Sequence, residues 1–272
     1  MSDIALQIIN ILAPGMLLAT IGVVWFHKGS EFPVPFVTTL VISIAMPALL
    51  FHTLANSSIP VQSLATMAFA TLLMHVMFGI GAVVLLKIGR KVWQLCVSHV
   101  VGNTGNLGLP VCYLAFGDEG LAYGMMFFAV QCLLLFSIGD AVIARRIDVK
   151  SLARSPILHA VWLGVLVRLL ELELPMIASQ TLQLLGQIVI PIMLITLGVS
   201  LAGMRASQLP MTLLWSIVRT LLAACVAVGV AQLLGMTGVA RGVLILQTVM
   251  PVAVFNYLLA VKHGRDNSKN RQ

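Results

Sequence analysis

Gly102-Asn103-Thr104-Gly105-Asn106-Leu107-Gly108-Leu109-Pro110 interrupts an apolar run between Trp93–Val101 and Val111–Phe116, and its reading decides the fold. Three glycines, two asparagines and a proline within nine residues cannot sustain a regular helix. At membrane depth, irregular backbone survives only where protein or a water-filled cavity surrounds it. The segment is therefore a candidate binding site. It has a counterpart about 140 residues later, at Met250-Pro251.

Composition places the break inside a membrane. Apolar residues make up 60% of the chain and charged residues 9%, with a mean hydropathy of +1.04. A soluble domain carries roughly 25% charged residues, so most of this surface faces lipid or other helices. About 20 apolar residues cross the hydrocarbon core. The sequence reads as nine such spans, near 7–26, 34–55, 63–86, 92–116, 120–143, 156–170, 176–202, 210–234 and 239–261. The expected class is an all-α integral membrane protein, a single multi-pass domain over 1–272 with a polar tail at 262–272. Met1-Ser2-Asp3 has no basic leader, so the first span is expected to stay in the mature protein.

A net charge of +7 invites a nucleic-acid reading, but its distribution opposes one. Thirteen of the 16 basic residues fall in one set of loops: Lys28; Lys87, Arg90 and Lys91; Arg145, Arg146, Lys150 and Arg154; Arg205; and Lys262, Arg265, Lys269 and Arg271. The opposite set holds Arg168 and Arg241, and Arg219 lies inside the eighth span. Basic loops accumulate on the cytoplasmic side, which puts the N-terminus outside and the tail inside. A bacterial inner (plasma) membrane is the expected location. Cys96, Cys112, Cys132 and Cys225 all lie within spans without CxxC spacing and read as small packed residues; no metal or cofactor is expected.

The breaks recur in order. Met46-Pro47 precedes Pro110 by 63 residues, and Ile190-Pro191 precedes Pro251 by 60. Pro14 precedes Pro47 by 33, and Pro156 precedes Pro191 by 35. Five spans separate the starts of the two units, so the second enters the membrane in the opposite direction. That predicts an inverted repeat, 1–143 and 156–261, with paired broken helices meeting near the midplane as in secondary transporters. Asn106 and Gln247 each lie four residues before the proline of a break, offering donors and an acceptor without burying a charge. Backbone N–H groups freed at each downstream half-helix suit an anion. Equally, these amides can simply satisfy backbone groups that the prolines release.

The segments MPALLFHTLA at 46–55, GNTGNLGLP at 102–110, YLAFGDEGLAYG at 113–124, IPIMLITLGVSLAGM at 190–204 and MPVAVFNYLLAVKHGRD at 250–266 carry a resemblance. The chain resembles the auxin efflux carrier family in its bacterial permease branch, related in fold to the bile-acid/sodium symporters. The resemblance implies a 5+5 inverted-repeat, crossed broken-helix transporter fold of ten spans, with a transport site where the fourth and ninth cross. It matches Asn103, Gly105, Gly108 and Pro110 to the first crossover motif, and Pro251 and Asn256 to the second. The substrates it implies are weak carboxylic acids, auxin-like or malonate- and malate-like. The chain departs from the family in one respect. The polar tail Lys262–Gln272 stands where a tenth span would begin, so the expectation is nine spans, in a truncated product or a variant completed by a partner.

Among other residues, Pro47, Pro191 and His52, five residues past Pro47, are further candidates for the crossing. Asp140 is the acid well inside a span and a candidate proton carrier, or else an acid paired near Arg145. His75 and His99 read as packed histidines; Arg219 could attract an anion or bind a carbonyl at a break. Enzyme readings fail on motif. Ser137-Ile138-Gly139-Asp140 lacks the first glycine of GxGD, Gly198-Val199-Ser200-Leu201 is not GxSG, and neither HExxH nor a phosphate loop is present. The expected function is a secondary carrier of a small organic anion working by alternating access, with a membrane sensor or scaffold as the rival. No carboxylate is visible near the crossing, so proton coupling or uniport of a charged acid is preferred to sodium coupling. Lipid and a second copy of the chain, forming a homodimer, are the other expected partners.

Overall fold

The computed structural model describes residues 2–86, 102–134, 154–203 and 209–251, and the regular elements among them are all helical. α1 is Ser2–His27. α2, Val34–Leu40, runs through a π-helical turn at Val41–Ala45 into α3, Met46–Ala55. α4 is Val61–Leu86. A second π turn, Thr104–Gly108, opens α5, Leu109–Leu134. Then follow α6 (Pro156–Leu169), α7 (Met176–Gln187), α8 (Val189–Ala202), α9 (Leu209–Leu233) and α10 (Gly238–Val249). Asp140, His99, Asn256 and the tail 262–272 lie outside the described residues.

Among the described residues, four stretches are long and apolar enough to cross a membrane: Ile9–His27, Val34–Ala55, Val61–Ile80 and Met176–Ala202. Pro156–Leu169, Arg219–Leu233 and Gly238–Val249 are shorter apolar helices. The radial distribution of side chains fits lipid as the outer solvent. Met16 is 66% and Ile177 81% exposed, while Asn103, Thr104, Gln131, Gln247 and Thr248 are buried. In water each exposed leucine or isoleucine would forgo roughly 1.5–3 kcal/mol of burial; against hydrocarbon that loss vanishes.

Each proline of a predicted break sits one turn beyond a disruption. A helical proline strikes the carbonyl four residues back. For Pro47 that residue is Ser43 and for Pro110 it is Asn106, and both lie within π turns. The wider turn makes room for the ring. For Pro191 the residue is Gln187, where α7 ends, and for Pro251 it is Gln247, three residues before α10 gives way to extended Met250. The interruptions therefore differ in depth. At Pro47 the chain stays helical throughout, and at Pro191 it steps over Ile188 alone. Among the described residues of these breaks, the non-helical backbone is at Gly102-Asn103 and Met250-Pro251.

Packing divides the helices between two buried clusters. One gathers Leu64, Met67 and Met74 of α4, Phe127 of α5, Ala227 of α9 and Leu244 of α10. The other gathers Met46 and Leu50 of α3, Leu109 and Met125 of α5, Ile157 of α6 and Met193 of α8. α5 contributes to both, so the broken segment that leads into it lies on their boundary. α5 is itself bent at Gly117, whose φ of 64° and ψ of −151° an L side chain rarely adopts.

The most extensive helix pairings are α1 with α8 and α3 with α6. Without a hydrophobic driving force, membrane helices rely on close backbone approach at small residues. Gly22 meets the Ile195 carbonyl of α8, and Gly198 meets the Ala19 carbonyl of α1. At the α3–α6 contact, a Cβ on Gly164 would stand 3.0 Å from the Phe51 carbonyl oxygen.

Candidate functional site: the crossing of two broken segments

The unwound pieces meet. The Asn103 N–H donates to the Pro251 carbonyl at 2.7 Å, and a Cβ on Gly102 would lie 3.0 Å from the Met250 carbonyl oxygen. Only glycine permits that approach at position 102. Asn103 adopts φ −76° and ψ 55°, Met250 φ −53° and ψ 136°, so both chains leave the helical region here.

Buried carbonyls released from a helix need donors, and all four at the crossing find them. Gly102 accepts from Gln131 Nε2 at 3.1 Å, and the same amide nitrogen donates to Thr104 Oγ1 at 2.8 Å. Asn103 accepts from the N–H groups of Leu107 and Gly108 at 3.2 and 3.0 Å. The Arg219 guanidinium donates to Met250, and Asn103 to Pro251. The guanidinium is also against Gly102, where a Cβ would be 3.3 Å from Nη2.

Gln247 is wedged beside this junction. It is 0% exposed and packs against Gly108 on one side and Gly124 on the other. Its Nε2 reaches the Gly124 carbonyl at 3.4 Å, while Oε1 has no hydrogen-bond partner among the described residues. A cavity of about 10 Å³ adjoins it, roughly the space of one water molecule. Met74, His75, Phe127, Gln131, Arg219 and Thr248 complete most of its wall. Four helices, α4, α5, α9 and α10, and the Gly102 segment thus converge on one small chamber with polar groups in its wall. It carries a permanent cation, and the described carboxylates Glu31, Asp118, Glu119, Glu171 and Glu173 are all exposed.

The sequence candidates divide accordingly. Asn103, Gly108, Gln247 and Pro251 meet at or beside the crossing. Pro110 opens α5 just beyond it, and Asn106 is half-buried within the π turn. Gly105 faces Phe128, whose ring a Cβ would meet at 2.8 Å. His52 is not brought there; its Nε2 lies 3.4 Å from Ser179 Oγ on α7. Pro47 and Pro191 shape α3 and α8 and do not line the cavity. Gln131 escaped the sequence reading, although a carboxamide inside an apolar run was the signal that could have found it. His75 and Arg219 were recognisable as polar groups in spans, but nothing along the chain pairs residues 144 positions apart. Among the described residues, no group of three or more His, Cys, Asp or Glu could hold a metal ion.

The family model described as membrane transport protein matches residues 35–147 and 142–270, nearly the whole chain. The chain belongs to that family, the family of the auxin efflux carriers. An uncharacterised transporter of Methanothermobacter thermautotrophicus is 26% identical over 279 residues, covering 97% of this chain and 89% of its own length. An uncharacterised transporter of Methanocaldococcus jannaschii is 24% identical over 248 residues, covering 84% and 79% respectively. Family membership and apolar helices together make this a multi-pass membrane transporter with a small-molecule substrate.

Proposed function

We propose that this transporter is a secondary active permease for a small organic anion or weak carboxylic acid, malonate- or malate-like or auxin-like, working by alternating access at the crossed segments. The carrying observation is the chamber itself: buried amides, two unwound backbones and the Arg219 guanidinium, which donates to the Met250 carbonyl. An anion suits such surroundings. The cavity holds roughly one water, so this conformation is closed to a substrate of several carbons. Admission requires the two clusters to part, and α5 and α3 are the helices with buried residues in both.

An inverted repeat of nine spans, on the plan of a ten-span fold, accounts for the packing. The first helix of each unit lies on the downstream half of the other unit's interrupted helix: α1 on α8, and α6 on α3. A twofold axis in the membrane plane would exchange those pairs. Sodium needs free oxygen ligands, whereas the four crossing carbonyls already accept from protein donors. That favours a proton, or uniport of the charged acid. The asymmetric loop charge supports an external N-terminus and a cytoplasmic tail in a bacterial inner membrane, and a homodimer is the assembly we assign.

The test is counterflow of labelled malonate, malate and phenylacetate in proteoliposomes. Wild type is expected to exchange at least one of them saturably. Asn106→Ala is expected to lower the rate about tenfold, the factor that ~1.4 kcal/mol produces. Asn103→Ala leaves the backbone N–H that bonds Pro251 in place, so a comparable loss there would assign the role to the side chain. Flux equal to protein-free liposomes, from folded protein, would favour a sensor or scaffold.

A further inference from the structure

Gln247 is a fully enclosed carboxamide near the end of α10, and its surroundings settle which way round it lies. The Gly124 carbonyl, 3.4 Å from one end, only accepts, so that end is Nε2 and the other is Oε1. The reverse orientation would set two acceptor oxygens face to face. Oε1 lies against Gly108, the last residue of the π turn, and makes no hydrogen bond among the described residues.

The backbone carbonyls of the two breaks differ from this oxygen. Gly102, Asn103, Met250 and Pro251 each accept from a protein donor. The titratable and charged side chains around Gln247 are His75 of α4, Cys112 of α5 and Arg219 of α9, and none of them donates to Oε1. What Oε1 lacks is a hydrogen, and an ionised carboxylate has none to give. A buried acceptor in that state costs the desolvation of the group. Methionine, similar in length and apolar, would occupy the same slot without that cost. The slot is nevertheless shaped around an amide, with glycine on both flanks; at Gly124 a Cβ would stand 3.1 Å from Nε2. In the closed conformation a single water in the adjoining cavity is large enough a donor. Once α10 and the Gly108 turn part to admit cargo, the donor has to come from the cargo.

We propose that Gln247 sets the cargo specificity of this carrier: Oε1 accepts an O–H that the cargo brings. Acids with a hydroxyl beside the carboxylate, or with a carboxyl group left undissociated, are then taken in preference to the bare carboxylate of the same skeleton. A site with a buried acceptor rejects the analogue that leaves it unpaired. The inference rests on the transport reading above and adds the chemical class of the cargo.

The test is competition against counterflow of whichever labelled acid wild type exchanges, malonate, malate or phenylacetate, at equal pH on both sides. The competitors are two pairs differing by one hydroxyl, malate with succinate and mandelate with phenylacetate. A cargo hydroxyl on Oε1 predicts that, in at least one pair, the hydroxylated member inhibits at about tenfold lower concentration. An undissociated carboxyl on Oε1 predicts equal inhibition within each pair, at about tenfold lower concentration per pH unit downward. In Gln247→Met, or Gln247→Leu if the first does not fold, either signature disappears. A pH dependence arising at His75 would persist, because that side chain is unchanged. Wild type showing neither signature, or a variant keeping the one wild type shows, overturns the inference and leaves the carrier standing. Absence of wild-type exchange overturns both together. If the variant folds but exchanges nothing, the melting-temperature shifts that the competitors give solubilised wild type and variant decide. A variant that responds alike to acids that wild type distinguishes supports the assignment. One that keeps the preference, or responds to no acid, overturns it.

Discussion

Gly198→Ala is expected to lower the melting temperature of the solubilised protein by about 5 °C, since overpacking costs roughly 1–3 kcal/mol and each kcal/mol shifts a chain of this size by ~2–4 °C. The new Cβ would overlap the Ala19 carbonyl oxygen and stand 2.8 Å from its carbon. Both are backbone atoms, so no rotamer change relieves the clash and α1 must move as a body. Gly22→Ala meets the Ile195 carbonyl from the other side and is expected to act alike. The double variant should lose less than the sum, because one displacement of α1 relieves both contacts. Gly79→Ala is the control: nothing lies within 4 Å of its Cβ position, and helix propensity alone favours alanine by ~1 kcal/mol. Equal melting temperatures for Gly79→Ala and Gly198→Ala would contradict the close α1–α8 contact.

The second large effect is on transport. Gly108→Ala drives a methyl into the Gln247 carboxamide, which is fully buried and backed by Gly124. Gln247 has one exit, the cavity it already lines with His75 and Arg219. Filling that space removes the room an anion needs, so exchange should fall at least tenfold, the factor that ~1.4 kcal/mol produces. The fold tolerates the change better than the site does, and the melting temperature is expected to move by only ~2–4 °C. Gly108→Ala combined with Gln247→Ala removes the collision. Recovery of part of the exchange in the pair, beyond that of Gly108→Ala alone, is the specific signature of a crowded chamber. No recovery would mean that Gly108 matters through its own backbone.

Much of the architecture was legible along the chain because proline and glycine act locally. The four proline positions forecast where helices are disturbed, and Gly102-Asn103 and Met250-Pro251 are non-helical. The depth of each disturbance was not legible. Proline's conflict is with a single carbonyl, and one additional residue in a π turn absorbs it at Ser43, so the chain stays helical through Pro47. His52 illustrates a different limit. It lies five residues from Pro47, yet α3 carries it to Ser179 of α7 rather than to the crossing. Proximity along a helix says little about which neighbour a face meets. The partnership of His75, Gln131 and Arg219 was hidden for the same reason, since each stands alone in an apolar helix and only packing brings them together.

The arrangement also explains why a site this polar is tolerated without bulk water. Every carbonyl at the crossing has a protein donor, and two of the three buried side-chain atoms with no hydrogen-bond partner among the described residues, His75 Nε2 and Gln247 Oε1, belong to residues that line the cavity.

The central claim is that the crossing alternately faces the two sides of the membrane with the anion bound to it. Asn106→Cys, in a variant with Cys96, Cys112, Cys132 and Cys225 replaced and exchange retained, provides the direct measurement. A membrane-impermeant thiol reagent is applied separately to each face of sealed vesicles, with and without the transported acid. The account predicts modification from both faces, slowed from each by the acid. Modification from one face only, at a rate the acid does not change, would contradict it.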